Sequence, residues 1–399
     1  MMLYHIEEIS PSYGNTLLAQ GAFGEVRIGL KVNNQKKNGV SFLERRFMQK
    51  VEIVAIKTIR NSISRPPSKF SCSSWGFDSQ SSDVCESNNN IFKLTKEAFC
   101  ELAALRVLQP HENIVPLLDI IEKSSTELKL VFPYYPLDLY HFIHSRECND
   151  ERIPESNIRV WVKDMLKALA HCHSHGIIHG DIKPSNFLIS SNDDTGKSND
   201  NGRLKLCDFG LAQLENSKGS GSNNGLCTLH YRPPELLLGS TSVTTAVDVW
   251  SCACIIGELY NLQVIFPGRN VLDQLTRIFE QLGFNNTEEW YRNLPDSNKI
   301  SFQSYSALPL YMAIPRVNEN SNLEELISTM LSCDPIQRPT SQECLEHSYF
   351  FLPANTNNMM THTYTTTPDK SSFNSNFDNL SLEEIKYHAV KVAKERRSN

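Results

Sequence analysis

Asp181, Lys183 and Asn186 lie close together in the run His179-Gly180-Asp181-Ile182-Lys183-Pro184-Ser185-Asn186, and a second carboxylate follows in Asp208-Phe209-Gly210. A carboxylate, then an ammonium, then an amide, answered by another carboxylate, is a set suited to phosphoryl transfer. One Asp can take a hydroxyl proton or orient the nucleophile, and the lysine can steady the moving phosphoryl group. The amide and the second Asp can hold magnesium. Either piece alone is a weak pattern; the two in this order are specific.

Other elements must bring a nucleotide to these residues. Gln20-Gly21-Ala22-Phe23-Gly24-Glu25-Val26 sits between two strand-like runs, with Val54-Ala55-Ile56-Lys57 after it and Glu101 further on. Bare backbone at Gly21 and Gly24 can close over phosphates. Together these motifs resemble the glycine-rich loop, the strand lysine, the catalytic loop and the metal-binding motif of eukaryotic protein kinases. The resemblance implies ATP and Mg2+ as cofactors. It makes Asp181 the base and Lys183 its neighbouring cation, Asn186 and Asp208 the metal ligands, and Lys57 the phosphate contact held by Glu101. Val26, Ala55 and Leu188 would sandwich the adenine. Phe132, Pro133 and Tyr135 would form the hinge side, with the Pro133 carbonyl and the Tyr135 N–H facing the base. Leu18 and Asp138 join the nucleotide set. Ala19 stands where the family has its first loop glycine.

Lys183 is the serine/threonine-kinase pattern. The runs from Ala170 to Gly176, Thr228 to Gly239 and Ala246 to Ser251, with Phe266-Pro267-Gly268 and Asp273-Gln274-Leu275, resemble the cyclin-dependent kinases. Arg338 would pair with Glu235 in the lower lobe. Four departures stand out. Gly180 replaces an arginine that clamps a phosphorylated activation loop in many kinases, and Asn223 stands where that loop's threonine would be. Ala22 and Phe23 replace an inhibitory Thr-Tyr pair, and the helix before Glu101 does not resemble a cyclin-binding helix. Such a chain resembles the single-subunit kinases of fungi that activate cyclin-dependent kinases, to which Leu130-Val131-Phe132-Pro133 and Ile278 to Gly283 with Trp290 are also similar. Arg232, which in relatives helps shape a proline-accepting pocket, keeps a proline-directed kinase open. Gly180 and Ala19 are the features that would suit a catalytically dead scaffold.

The implied fold class is α+β: a bilobal kinase with a small β-rich N-lobe carrying one regulatory helix, and a larger, mainly helical C-lobe. The domain is expected over 4–352, with the N-lobe at 4–132, the hinge at 133–138 and the C-lobe at 139–352. Residues 4–31 and 51–60 read as strands, as do 114–122 and 127–133. Helices are expected over 93–108, 156–174, 246–260, 271–283 and 322–332. In 156–174, Ile158, Trp161, Val162, Met165, Leu166 and Leu169 fall on one face, a core stripe. Polar insertions at 32–50 and 61–90 read as an enlarged loop and a disordered segment. The 353–399 tail is of low complexity and carries an amphipathic piece, Ser381–Arg397, which must dock or fray.

Composition bounds the rest. Of 399 residues 40% are hydrophobic and 21% charged, as in ordinary soluble proteins. A net charge of −6 with only short basic clusters argues against nucleic acid as a partner. Eleven cysteines without a C-x-x-C pair suit reduced thiols of the cytoplasm or nucleus. No stretch is long and apolar enough for a membrane span. His171, His173 and His175 are spaced so that their rings diverge around a helix, so no metal site is expected there. The expected partner is a protein substrate, a cyclin-dependent kinase, bound by a monomer that needs no cyclin.

Overall fold

The computed structural model of the chain describes residues 3–9, 16–21, 24–34, 50–60, 96–124, 127–149, 151–192, 198–215, 226–351, 386–387 and 390–391. The insertion at 61–90, most of that at 32–50, and Ala22, Phe23 and Asn223 lie outside these residues.

Alternating apolar residues build the first sheet. Its strands are β1 (Leu3–Glu8), β2 (Leu17–Gly21), β3 (Gly24–Asn34), β4 (Lys50–Arg60), β5 (Asp119–Ser124) and β6 (Glu127–Pro133). The order is β1-β3-β4-β6-β5, all antiparallel, with β2 also paired to β3. Register decides what each face carries. Val26 lies opposite Lys57, Ile28 opposite Ala55, and Ala55 opposite Phe132. Directly opposed residues share a face, as do residues two apart. One face of β4 therefore reads Val51, Ile53, Ala55, Lys57 and Ile59 in sequence.

Helix α1 (Lys96–Leu108) closes one end of that face, where Ala98 and Leu102 pack with Ile59, Leu128, Leu130 and Phe132. The expected strand at 114–122 starts only at Asp119. Pro116 has no N–H to give a ladder, and the segment before it forms a single parallel bridge from Ile114 to Leu206.

Below the sheet the chain is mainly helical. After β7 (Leu137–Asp138) come α2 (Leu139–Asn149) and α3 (Glu155–Ser174), then β8 (Ile177–Ile178), β9 (Phe187–Asn192), β10 (Ser198–Leu206) and β11 (Gln213–Leu214). The longer helices that follow are α4 (Ala246–Asn261), α5 (Val271–Leu282) and α6 (Ser321–Met330). Helix α3 buries Ile158, Trp161, Val162, Met165, Leu166 and Leu169, the stripe seen in its spacing. Helix α4 is apolar nearly all round and runs through the middle of the core, with Trp250 and Cys252 inaccessible. Neither α2 nor the β9–β10 hairpin was expected from the sequence. Arg338 forks onto Glu235 through two hydrogen bonds of 2.6 and 2.7 Å, the pairing that the resemblance implied, and its guanidinium also lies 4.9 Å from the Trp250 ring centre.

The histidines of α3 serve packing and polar contacts. His171 meets the Leu108 carbonyl and stacks on His111, His175 Nδ1 lies 2.8 Å from the His171 carbonyl, and His173 bridges Ser341 and Asp248. Among the described residues no group of three or more His, Cys, Asp or Glu side chains is placed to hold a metal ion by itself, and no helix is long and apolar enough to cross a membrane.

One buried carboxyl gives the core a pH signature. Glu258, on α4, accepts from the Tyr231 hydroxyl at 2.7 Å, and burial pushes its pKa up to about 7. A carboxyl raised in the folded state favours folding while protonated. That contribution is full below about pH 4.5 and is lost as pH rises to about 7, a swing of order 3 kcal/mol. Glu258→Gln keeps an oxygen for Tyr231 and removes the titration. Urea unfolding should give equal stability for variant and parent near pH 4.5, and a more stable variant at pH 8.

Candidate active site

Two constellations meet at the foot of the first sheet. In the first, Lys57 Nζ donates to both Glu101 oxygens, at 2.8 and 2.7 Å, and to Asp208 Oδ1 at 2.8 Å. Strand β4 supplies the lysine and α1 the glutamate, so the pair ties the helix to the sheet. Burial opposes the charge on Lys57, yet the Glu101 and Asp208 carboxylates outweigh it and hold its pKa above the ordinary lysine range. Desolvation in the cleft would raise Asp208, but the Lys57 ammonium outweighs it and holds that carboxyl below the usual range. The Asp208 backbone is left-handed, with φ 64°, a conformation that costs a non-glycine residue on the order of 1–3 kcal/mol and needs its surroundings to fix it.

In the second constellation, Asp181 Oδ2 accepts from Lys183 at 2.6 Å. Its Oδ1 accepts from the Thr228 hydroxyl at 2.9 Å and the Thr228 N–H at 3.1 Å. Asn186 donates to the Asp181 carbonyl at 2.8 Å. Its nitrogen is thereby engaged, which leaves the amide oxygen for a cation. The free oxygens of Asn186 and Asp208 are hard donors of the kind magnesium takes alongside phosphate, so the residues fit that ion. Thr228 in this role escaped the sequence reading; its hydroxyl is brought in from a distant segment that no local spacing reveals.

The loop carrying Asp181 is held from beneath. Asp248 of α4, with no exposed surface, accepts from the His179 and Gly180 N–H groups at 2.8 and 2.9 Å and contacts His173 Nε2 at 3.0 Å. Burial would raise its pKa; His173 and these donors hold it low. The signal available in sequence was an Asp at the start of an otherwise apolar helix, a residue type rarely buried unless paired.

The nucleotide set lines up in register. Val26, Ala55 and Phe132 share the lysine face of the sheet, Leu188 lies opposite Asp138, and Gly21 lies opposite Gly24. Leu18 is half-buried at the sheet's edge of this face, and Pro133 and Tyr135 follow Phe132. Asp138 is buried, and its carboxylate caps α2 through the His141 N–H at 3.0 Å and meets His141 Nδ1 at 2.8 Å.

Comparison with known proteins agrees with this geometry. The family described as "Protein kinase domain" matches residues 83–350, about two thirds of the chain. The chain belongs to the protein kinase family. It is similar to cyclin-dependent kinase B2-2 of Arabidopsis thaliana, with 35% identity over 258 residues, 63% of this chain and 78% of that relative. It is a cyclin-dependent-kinase-like serine/threonine protein kinase. The family match begins after β4, yet β4 pairs with β6 along its length, so the earlier strands belong to the same sheet of this kinase.

Asp248→Asn tests the support of the loop. An amide cannot accept from both N–H groups while presenting its own NH2, and an unmet buried donor costs about 1–3 kcal/mol. Thermal melts should show that loss, and the phosphotransfer rate should fall while nucleotide binding survives.

Proposed function

We propose that this kinase transfers the γ-phosphate of ATP, with magnesium, to the activation-loop threonine of cyclin-dependent kinases, acting as a single chain without a cyclin. In this reading the kinase domain covers 4–352 and Asp181 takes or orients the hydroxyl proton. Lys183 steadies the phosphoryl group, Asn186 and Asp208 hold magnesium, and Lys57 meets the α and β phosphates. The sandwich of Val26, Ala55 and Leu188 holds the adenine.

The observation that carries the reading is the surroundings of Gly180. Its φ is +75°, and a Cβ there would lie 2.6 Å from Leu226 Cδ1 and 3.1 Å from the Leu211 carbonyl. Leu226 is buried with Ile178, Cys227, Leu236 and Val247, and the Cys227 N–H donates to the Gly180 carbonyl at 2.8 Å. Where many kinases join arginine to phosphate, this chain has an apolar contact. A segment seated by burial needs no phosphate to seat it, which suits an enzyme that stands upstream of phosphorylation-dependent kinases.

A second reading has its own observation. Cys227 is left-handed, with φ 58°, and Arg232 donates to its carbonyl from Nε at 3.0 Å and Nη2 at 2.7 Å. A carbonyl so occupied offers no acceptor to the residue after the target hydroxyl, and proline is the residue that needs none. This favours a proline-directed kinase.

Phosphate transfer by the purified chain separates the two. The proposal expects labelling of a monomeric cyclin-dependent kinase and none once its activation-loop threonine is alanine, with Asp181→Asn enzyme as the blank. Labelling of Ser/Thr-Pro peptides alone would transfer the assignment to the second reading. Asp181→Asn should keep nucleotide affinity and lose turnover, whereas Asp208→Asn should also weaken magnesium-dependent binding; near-parental turnover in either variant would sink these roles. Gly180→Ala should unfold more easily by about 1–2 kcal/mol in urea, the cost of a left-handed non-glycine residue, with the Leu226 contact adding to it.

A further inference from the structure

We infer that the C-terminal segment carrying Lys386 and Val390 is a cis-acting strap, bound to the far end of the sheet face that roofs the nucleotide cleft and holding that face in its nucleotide-binding shape.

The ion pair fixes where the segment sits. Lys386 Nζ lies 2.6 Å from Glu7 Oε1, and the lysine side chain is 10% exposed. A lysine is rarely withdrawn from water to that degree without a partner. Glu7 stands opposite Leu30 in the β1–β3 register, so its side chain shares the face of Leu30. Val390, four residues on, packs against the buried cluster of Ile9, Ile28, Leu30 and Val32. Tyr387, next to Lys386, is 71% exposed. Two independent contacts, one charged and one apolar, thus put Lys386 and Val390 on the same patch.

That patch is continuous with the nucleotide roof. Along β4, Val51 and Ile53 flank the Val390 cluster, Ala55 comes next, then Lys57, then Ile59 against α1. Along β3 the order is Val32, Leu30, Ile28 and Val26. Leu18 and Tyr134, at the roof and hinge, pack on the same cluster. One sheet face is therefore gripped at one end by α1 and at the other by the tail, with the nucleotide-lining residues between. Val390 packs on the cluster beyond Val26 and Ala55, so it braces the roof from its far end.

Nucleotide affinity falls in proportion to the fraction of molecules whose site is competent. Loosening one end of the face lowers that fraction, and a drop to about a third raises the apparent Kd about threefold. Calorimetric titration of the full chain with Mg-ATP reads this directly and needs no protein substrate. Lys386→Glu, Glu7→Lys and Val390→Asp are each expected to weaken binding about threefold or more. The exchanged pair Glu7→Lys with Lys386→Glu should recover most of the affinity, which a general loss of folding would not. The exchanged pair also keeps the test decisive where Val390→Asp fails to fold. Unchanged affinity in the two charge variants, tighter binding in them, or an exchanged pair no better than its single changes would overturn the strap.

Discussion

A carboxylate with no exposed surface has to be satisfied by the protein itself, and Asp248 meets that demand with two backbone N–H groups of the loop that carries Asp181. An unpaired charge in the core would cost several kcal/mol, so the loop cannot leave α4 without exposing that cost. His173 extends the same arrangement to α3 and Ser341. Asp181 and its neighbours are thus held by a helix buried along most of its length, although the Lys183 and Asp208 side chains keep exposed surface. Lys57, itself a sheet residue, then closes the geometry from above by joining Glu101 of α1 to Asp208.

These two anchors divide the labour between the lobes. Asp181, Lys183, Asn186 and Thr228 belong to a frame built from α3, α4 and the segment at 226–232. Lys57, Glu101, Val26 and Ala55 belong to the first sheet and α1. Asp208 is covalently part of the lower frame and electrostatically part of the upper one. Its low pKa follows from that double allegiance.

Much of this was legible in the chain. Asp181, Lys183 and Asn186 are near neighbours in sequence, so one loop sets their order; the Lys57–Glu101 and Glu235–Arg338 pairs followed from the family pattern, and the structure contains both. Contacts made by folding over long distances were not legible. Thr228 reaches Asp181 from a segment far along the chain, and Asp248 looked like one polar residue in an apolar helix. Helix α2 did carry a signal, since Asp138 caps it and Leu139, Phe142 and Ile143 fall at helical spacing. Hairpin β9–β10 carried little, because its apolar runs, Phe187-Leu188-Ile189 and Leu204-Lys205-Leu206, are too short to show a period. The strand expected to begin at 114 was shortened by Pro116, whose missing N–H outweighs the apolar run around it.

The left-handed turn at Asp208 has a mechanical meaning. A residue held outside its relaxed basin behaves as a drawn spring, and the catch is the ammonium of Lys57. That catch is itself kept in place by Glu101, which rides on α1. Displacing α1 would therefore take one of the two carboxylate partners from the ammonium that also holds Asp208. Strand β4, helix α1 and the Asp208 carboxylate thus meet at one ammonium, so a shift in any of them is felt at the other two.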